Sequence, residues 1–330
     1  MAIFHFTVKI VGRSKGKSVI SASAYLNGDV MKNEETGRIS YYTSKKEVVY
    51  TSLMMCENAP PEWLHVPEEN IKRFQQSIRY KRADDKDAAL EKFKITFQKQ
   101  RLWNEVLKIE KNADAQLGRS FEFSLPKEWS RQEQIDYTTE YIQKTFVDKG
   151  MCADYGIHRS YNDKGQPNLH IHILLTLRPL NEDGTWGAKS RKEYVLDADG
   201  NRIPNASGKG YKSRKVNVID WNEKGKAKEW RNAIAEVINA TNEKAGIAER
   251  VDPRSYKDRG IPLIPTIHLG ERASALERKG IWTERGNINR AIEKYNAMIM
   301  KIYGFISELK EELKKGVFKF AFERKSRTEK

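Results

Sequence analysis

Cysteine is scarce in this chain: two residues, Cys56 and Cys152, in 330. So small a number excludes a disulfide scaffold and fits a reducing compartment, and the separation of the two argues against a CxxC metal site. Long apolar runs are missing as well. No stretch approaches the roughly 18–20 residues that a membrane helix needs, and the opening MAIFHFTVKIVG carries no signal-peptide pattern. The expectation is a cytoplasmic chain with no membrane insertion. Internal repeats and low-complexity segments are also absent. Negative charge is in short supply, with 45 Asp+Glu against 60 Lys+Arg, a formal net charge of +15. That excess points to anionic partners, nucleic acid first and an anionic membrane surface second. The length is enough for one large or two modest domains with a full-sized core.

Histidine is rare too, yet unevenly placed. Three of the six fall between Cys152 and Leu180. Leu169 to Leu177 is short, apolar and preceded by the turn signal Asp163-Lys164-Gly165-Gln166-Pro167-Asn168, which predicts a buried strand. Side chains alternate along a strand, so His170 and His172 share a face, roughly 6–7 Å apart. His158 ends the preceding segment Tyr155-Gly156-Ile157-His158. A hairpin about Gly165 brings it beside the other two. Three imidazoles then converge, a donor set suited to Zn, Mn, Fe, Co or Ni. A short spacing pattern of this kind also arises by accident, in which case the histidines are ordinary strand residues.

The rest of the chain reads as mixed α and β. Ile3 to Val11 alternates Phe4, Phe6, Val8 and Ile10 against His5, Thr7 and Lys9, a strand with one buried face, and His5 reads as a sheet-surface histidine. Residues 18–31 read as a helix in which small Ala22, Ser23 and Ala24 precede Tyr25. Ile39–Tyr42 and Val48–Thr51 read as a hairpin over Ser44-Lys45-Lys46. Glu68 to Gln116 is charged and helix-permissive, with Gly118 as its stop, and Phe121 to Leu125 is a short strand placing Ser120 and Glu122 on one face. Ser130-Arg131-Gln132-Glu133 is a capping box opening a helix to about Lys149. Between Asn181 and Asn217, Trp186, Tyr194 and Tyr211 are interleaved with Arg191, Lys192, Arg214 and Lys215. This is either a single-strand nucleic-acid groove, with stacking faces and phosphate-tracking cations, or a solvated basic loop. A helix over 223–245, an irregular Pro-rich segment ending in Pro265-Thr266-Ile267-His268-Leu269-Gly270 and an amphipathic helix over 287–315 complete the chain.

Several of these stretches, in this order, resemble the relaxase (mobilisation nickase) domain of the MobA/MobL, or MobQ-type, family, within the histidine–hydrophobe–histidine superfamily. The resemblance rests on the opening through Asp29, Leu102-Trp103-Asn104 through Pro126, His158 with His170-Ile171-His172, Glu229-Trp230-Arg231 through Gly246, and Pro265 to Gly270. It covers most of residues 1–285, with 286–330 left as an amphipathic helix and charged tail. The residues alone say α+β; the resemblance implies a central antiparallel sheet of about five strands with helices packed on it. It implies Tyr25 as nucleophile, His158, His170 and His172 as ligands of a divalent metal (Mg or Mn), and an acidic residue that aids them. The family often shows Ala-Arg-Glu where this chain has Gly118-Arg119-Ser120; Glu122, on the same strand face, is the carboxylate left to serve. The charged stretch 70–98 resembles an insertion.

The activity implied is strand-specific nicking of single-stranded DNA at an origin of transfer. It would proceed through a 5′-phosphotyrosine, with relaxosome proteins and a coupling protein as possible partners. A phenol of ordinary pKa near 10 needs help to lose its proton, from metal charge or a basic residue such as Lys9, which is also placed to meet DNA. Two alternatives stand beside this reading. One is a rolling-circle replication initiator of the same superfamily, and the other a non-enzymatic basic nucleic-acid-binding module.

Overall fold

The computed structural model describes residues 4–44, 47–161, 167–267 and 269–328. Contacts gather the chain into two compact units, Met1–Pro253 and Arg254–Lys330. Unit one is an α+β fold built on a five-stranded antiparallel sheet. Its strands are β1 (Phe6–Gly12), β4 (Val48–Met54), β5 (Gln116–Ser124), β6 (Ala153–Tyr161) and β7 (Pro167–Leu175), in spatial order β1-β5-β7-β6-β4.

The sheet separates its residues by parity. Odd positions of the central strands, among them Phe121, Phe123, Tyr155, Ile157, Ile171 and Ile173, are buried in one apolar cluster. Helices α4 (Arg131–Thr145) and α5 (Lys226–Lys244) cover that face with Tyr141, Ile142, Trp230, Ile234 and Ile238. The opposite face meets a second cluster, in which Leu174 of the sheet joins Val19, Ile20 and Ala24 of α1 (Val19–Asn27) and Leu102, Trp103 and Val106 of α3 (Ala83–Ile109). Period-two alternation is what lets one sheet serve two cores.

Local chemistry bounds the helices. Ser18 caps α1, its side chain accepting from the Ser21 N–H at 3.2 Å. Gly28 ends the helix at φ 59°, a left-handed conformation that glycine adopts without steric cost. The helix expected to reach Met31 therefore stops at Asn27, and Met31 lies in the short strand β2 (Val30–Lys32). The Ser130–Glu133 capping box is present as read.

Two further readings are corrected. Ile39–Tyr42 and Val48–Thr51 do not pair with each other. Strand β3 (Ile39–Tyr41) pairs with β2, and β4 adds to the sheet beside β6, where six residues pair instead of three. Lys45 and Lys46 of the expected turn lie outside the described residues. The charged stretch from Glu68 breaks into α2 (Glu68–Ser77) and α3, and Leu117 and Gly118 belong to β5 instead of a helix end. A ribbon of β8 (Ser190–Tyr194) and β9 (Ser213–Asn217) forms a sheet of its own.

Unit two holds α6 (Glu271–Arg278) and α7 (Glu284–Thr328). Glu277 pairs with Arg290 at 2.8 Å and accepts from the Thr283 hydroxyl at 2.8 Å, which ties the two helices together. Residue 285, the boundary read from sequence, falls inside the first turn of α7. His268 lies outside the described residues. Among the described residues no helix is long and apolar enough to cross a membrane.

Candidate active site

Strands β6 and β7 form the hairpin that the histidine spacing requires, although residues 162–166 at its turn lie outside the described residues. His158 stands directly opposite His170, and His172 opposite both Gly156 and Glu122. Directly opposed residues of an antiparallel pair share a face. The three rings therefore converge, with centroids 4.5 Å (His158–His172), 5.0 Å (His170–His172) and 5.5 Å (His158–His170) apart. Each offers one ring nitrogen, and these nitrogens lie within 4.8 Å of one another.

The donor set fits a divalent cation. A carbonyl oxygen only accepts, so a ring nitrogen facing one carries the proton and its partner nitrogen carries the lone pair. His158 is fully buried and presents Nε2 to the Leu26 carbonyl at 2.7 Å. His170 presents Nδ1 to the Asn168 carbonyl at 3.1 Å. Nδ1 of His172 faces the Glu122 carboxylate at 4.0 Å, an electrostatic contact longer than a hydrogen bond. Backbone and carboxylate partners of this kind orient metal-binding imidazoles.

Tyr25 lies in the last turn of α1, which packs on the histidine face of the sheet. Its ring meets that of His172 edge to face at 6.1 Å. Tyr25 is 37% exposed, whereas its neighbours Ala24 and Leu26 are buried. The tyrosine that the family resemblance implies as nucleophile is thus open to solvent and beside the histidine cluster.

Glu122 lies between two histidines, with His5 Nε2 at 3.9 Å on its other side. His5 is half-exposed, in keeping with a sheet surface, and yet borders the site. Lys9 is exposed on β1 opposite Ser120. The four cations of the ribbon are exposed as well, but they sit on the separate β8–β9 sheet. Arg191 and Arg214 both pair with Glu193, at 2.7 and 3.2 Å, which offsets part of their charge. Arg202 packs over Tyr194 at 4.1 Å, and Tyr194 meets Tyr211 edge to face at 6.1 Å.

Sequence reasoning missed Tyr42 as a neighbour of the site. Its ring is 5.5 Å from that of Tyr25, edge to face, and its hydroxyl is 3.1 Å from the Ser21 hydroxyl. No local signal announces this, because the approach depends on β3 leaving its expected hairpin.

The model of the MobA/MobL family matches residues 17–279. The chain belongs to the MobA/MobL family. It is 33% identical over 280 residues to the conjugal transfer protein TraA of Agrobacterium fabrum, an alignment covering 84% of this chain and 22% of that protein. It is 28% identical over 317 residues to the probable mobilization protein MobA of Bifidobacterium longum, covering 92% and 49%. The chain thus spans between a fifth and a half of the length of these relatives. A solved structure described as "Molecular Basis of Vancomycin Resistance Transfer in Staphylococcus aureus" superposes with a TM-score of 0.55 at 24% identity, over 77% of this chain and 100% of that one. That likeness shows a shared fold and no more.

Proposed function

We propose that this MobA/MobL chain is a relaxase: it nicks single-stranded DNA at an origin of transfer and later reseals it. The observation that carries the reading is the exposed Tyr25 ring 6.1 Å from His172, in a cluster of three histidines whose nitrogens lie within 4.8 Å. A binding-only module leaves that juxtaposition unexplained. The relatives named for conjugal transfer and mobilization support the origin of transfer as the substrate.

In this reading the Tyr25 hydroxyl oxygen attacks the scissile phosphorus. A bond from phosphorus to Tyr25 forms and the bond to the 3′ oxygen breaks, giving a 5′-phosphotyrosine and a free 3′-OH. The phosphodiester count is unchanged, so the 3′-OH attacks in reverse to reseal the strand. His158, His170 and His172 would hold a divalent cation, Mg or Mn. Three neutral ligands leave its charge available to offset the phosphate oxygens. Glu122, whose carboxylate faces His172 Nδ1 at 4.0 Å, helps to orient that ring. Lys9 and the ribbon cations Arg191, Lys192, Arg214 and Lys215 contact the DNA backbone. The match ending at residue 279 supports assigning nicking to residues 1–285 and reading the remainder of α7 as an appendage.

The test is covalent. Tyr25→Phe removes one oxygen and keeps the ring, so folding and DNA affinity stay near wild type while cleavage is lost. Wild-type protein with an origin-bearing oligonucleotide should give a denaturation-resistant adduct that maps to Tyr25 and religates to a strand ending in 3′-OH. An adduct on Tyr42, the neighbouring ring, overturns the residue assignment. Cleavage without an adduct, retained in the Phe variant, overturns the mechanism.

A further inference from the structure

A fully buried ion pair lies beneath the helix that carries Tyr25. Asp154 of β6 and Lys99 of α3 have no side-chain exposure, and Lys99 Nζ stands 2.9 Å from Asp154 Oδ1. The same carboxylate accepts from the Ser23 hydroxyl at 2.5 Å, Asn27 Nδ2 at 3.2 Å and Trp103 Nε1 at 2.9 Å. Lys99 donates onward to Asn27 Oδ1 and Thr51 Oγ1, both at 2.5 Å. One carboxylate therefore ties α1, α3 and, through Lys99, β4 to the strand that bears His158.

The grip continues along the same face of β6. Two residues on from Asp154, Gly156 lies under the last turn of α1, where an added Cβ would stand 3.0 Å from the Leu26 carbonyl oxygen and 3.1 Å from its Cδ2. Two residues further, His158 Nε2 meets that carbonyl at 2.7 Å. Three successive inward positions of one strand thus hold Ser23, Leu26 and Asn27, which bracket Tyr25. Ser23 and Asn27 lie two residues either side of Tyr25, about 200° away around a helix, so the clasp holds the side of α1 that Tyr25 does not use.

We propose that Asp154 and Lys99 are positioning residues for the nucleophile: with Gly156 they set the height and rotation of α1 over β6, and hence the place of Tyr25 relative to the histidine cluster. The inference rests on the nicking reading above. A buried ion pair is a weak device for stability, since well-packed apolar replacements are often neutral or better. Its directional, charge-assisted bonds do constrain geometry. In-line attack is sensitive to such constraint, a misplacement of about 1 Å costing on the order of 10²-fold.

The test compares single-turnover adduct formation in the full chain, at saturating oligonucleotide and Mn²⁺. The variants are Asp154→Leu with Lys99→Met, Ser23→Ala, and Gly156→Ala. A control, Ile238→Val, lies on the other face of the sheet and is compared at equal distance below each variant's melting temperature. Adduct formation should fall at least tenfold in the double variant and in Gly156→Ala, and by less in Ser23→Ala. Oligonucleotide affinity should stay within a few-fold throughout, and Mn²⁺ affinity likewise in the double variant and in Ser23→Ala, so the loss there lies in turnover rather than in binding. If the double variant does not fold, the two single variants carry the test. Wild-type rates in the variants, or losses no larger than the control's, overturn the positioning role. A wild-type protein that forms no adduct overturns the nicking reading itself, and this inference with it.

Discussion

The two faces of the central sheet share the same strands and differ in almost everything else. On the odd face, Phe121, Phe123, Tyr155, Ile157, Ile171 and Ile173 pack dry against α4 and α5. On the even face stand Glu122, Asp154, His158, His170 and His172, the face on which α1 packs over β6 and β7. The dry face needs only volume and apolarity. The other has to satisfy each buried polar atom, because an unpaired one costs about 1–3 kcal/mol. Beneath α1 it does so: the buried Asp154 carboxylate accepts from four donors and His158 donates to a carbonyl, whereas the buried Thr7 hydroxyl, opposite Glu122, has no hydrogen-bond partner among the described residues. Both faces carry an apolar core, and the histidine cluster and the buried ion pair share one of them, one residue away from the wholly apolar face.

Substitutions of adjacent residues in β7 should separate the two faces most sharply. Replacing His170 and His172 together with Ala should abolish cleavage and remove most Mn²⁺ binding in calorimetry, with little change in folding. Undiminished Mn²⁺ binding would end the assignment of the cluster. Ile171, between them, faces the other way and is fully buried. Ile171→Ala should cost roughly 2–5 kcal/mol in urea unfolding while leaving the cleavage rate per folded molecule near wild type. A rate loss with intact stability would show that the faces are not separable.

Glu122 offers a finer cut within the even face. Glu122→Gln keeps the shape and removes the charge that faces His172 and His5, so metal affinity should fall about 10–100-fold, the range for groups that orient metal-binding histidines. An unchanged metal isotherm would return Glu122 to the role of a solvated strand carboxylate. The smallest effect belongs to the β8–β9 ribbon, which is part of neither face. Changing Arg191, Lys192, Arg214 and Lys215 to Ala should weaken oligonucleotide binding and flatten its dependence on salt, because the variant neutralises fewer phosphates and so releases fewer counterions on binding. Unchanged affinity and slope would make the ribbon a solvated loop.

Much of this was readable before the fold was known, and the reasons are local. The His158 and His170-Ile171-His172 spacing implied one face because strand alternation has a period of two whatever surrounds it. The capping box at Ser130 acts through neighbouring residues and was legible for that reason, whereas Gly28 ends α1 four residues short of the helix read to Met31. The Ile39–Tyr42 segment went wrong for the opposite reason. Its strand character was correct, but its partner was chosen by tertiary competition, and β4 found the edge of the sheet instead.

The sequence by itself determined the parity of the sheet, the convergence of three imidazoles within one hairpin and a basic surface, since each follows from residues near one another or from composition. Only the tertiary structure decided that Tyr25 meets His172, that Tyr42 stands beside it and that Asp154 reaches α1. Those approaches join residues as far apart as Ser23 and Asp154, 131 positions along the chain. No local propensity encodes such a meeting. It is set by how α1 and α3 settle on β6, where a glycine admits the helix and a buried carboxylate holds it.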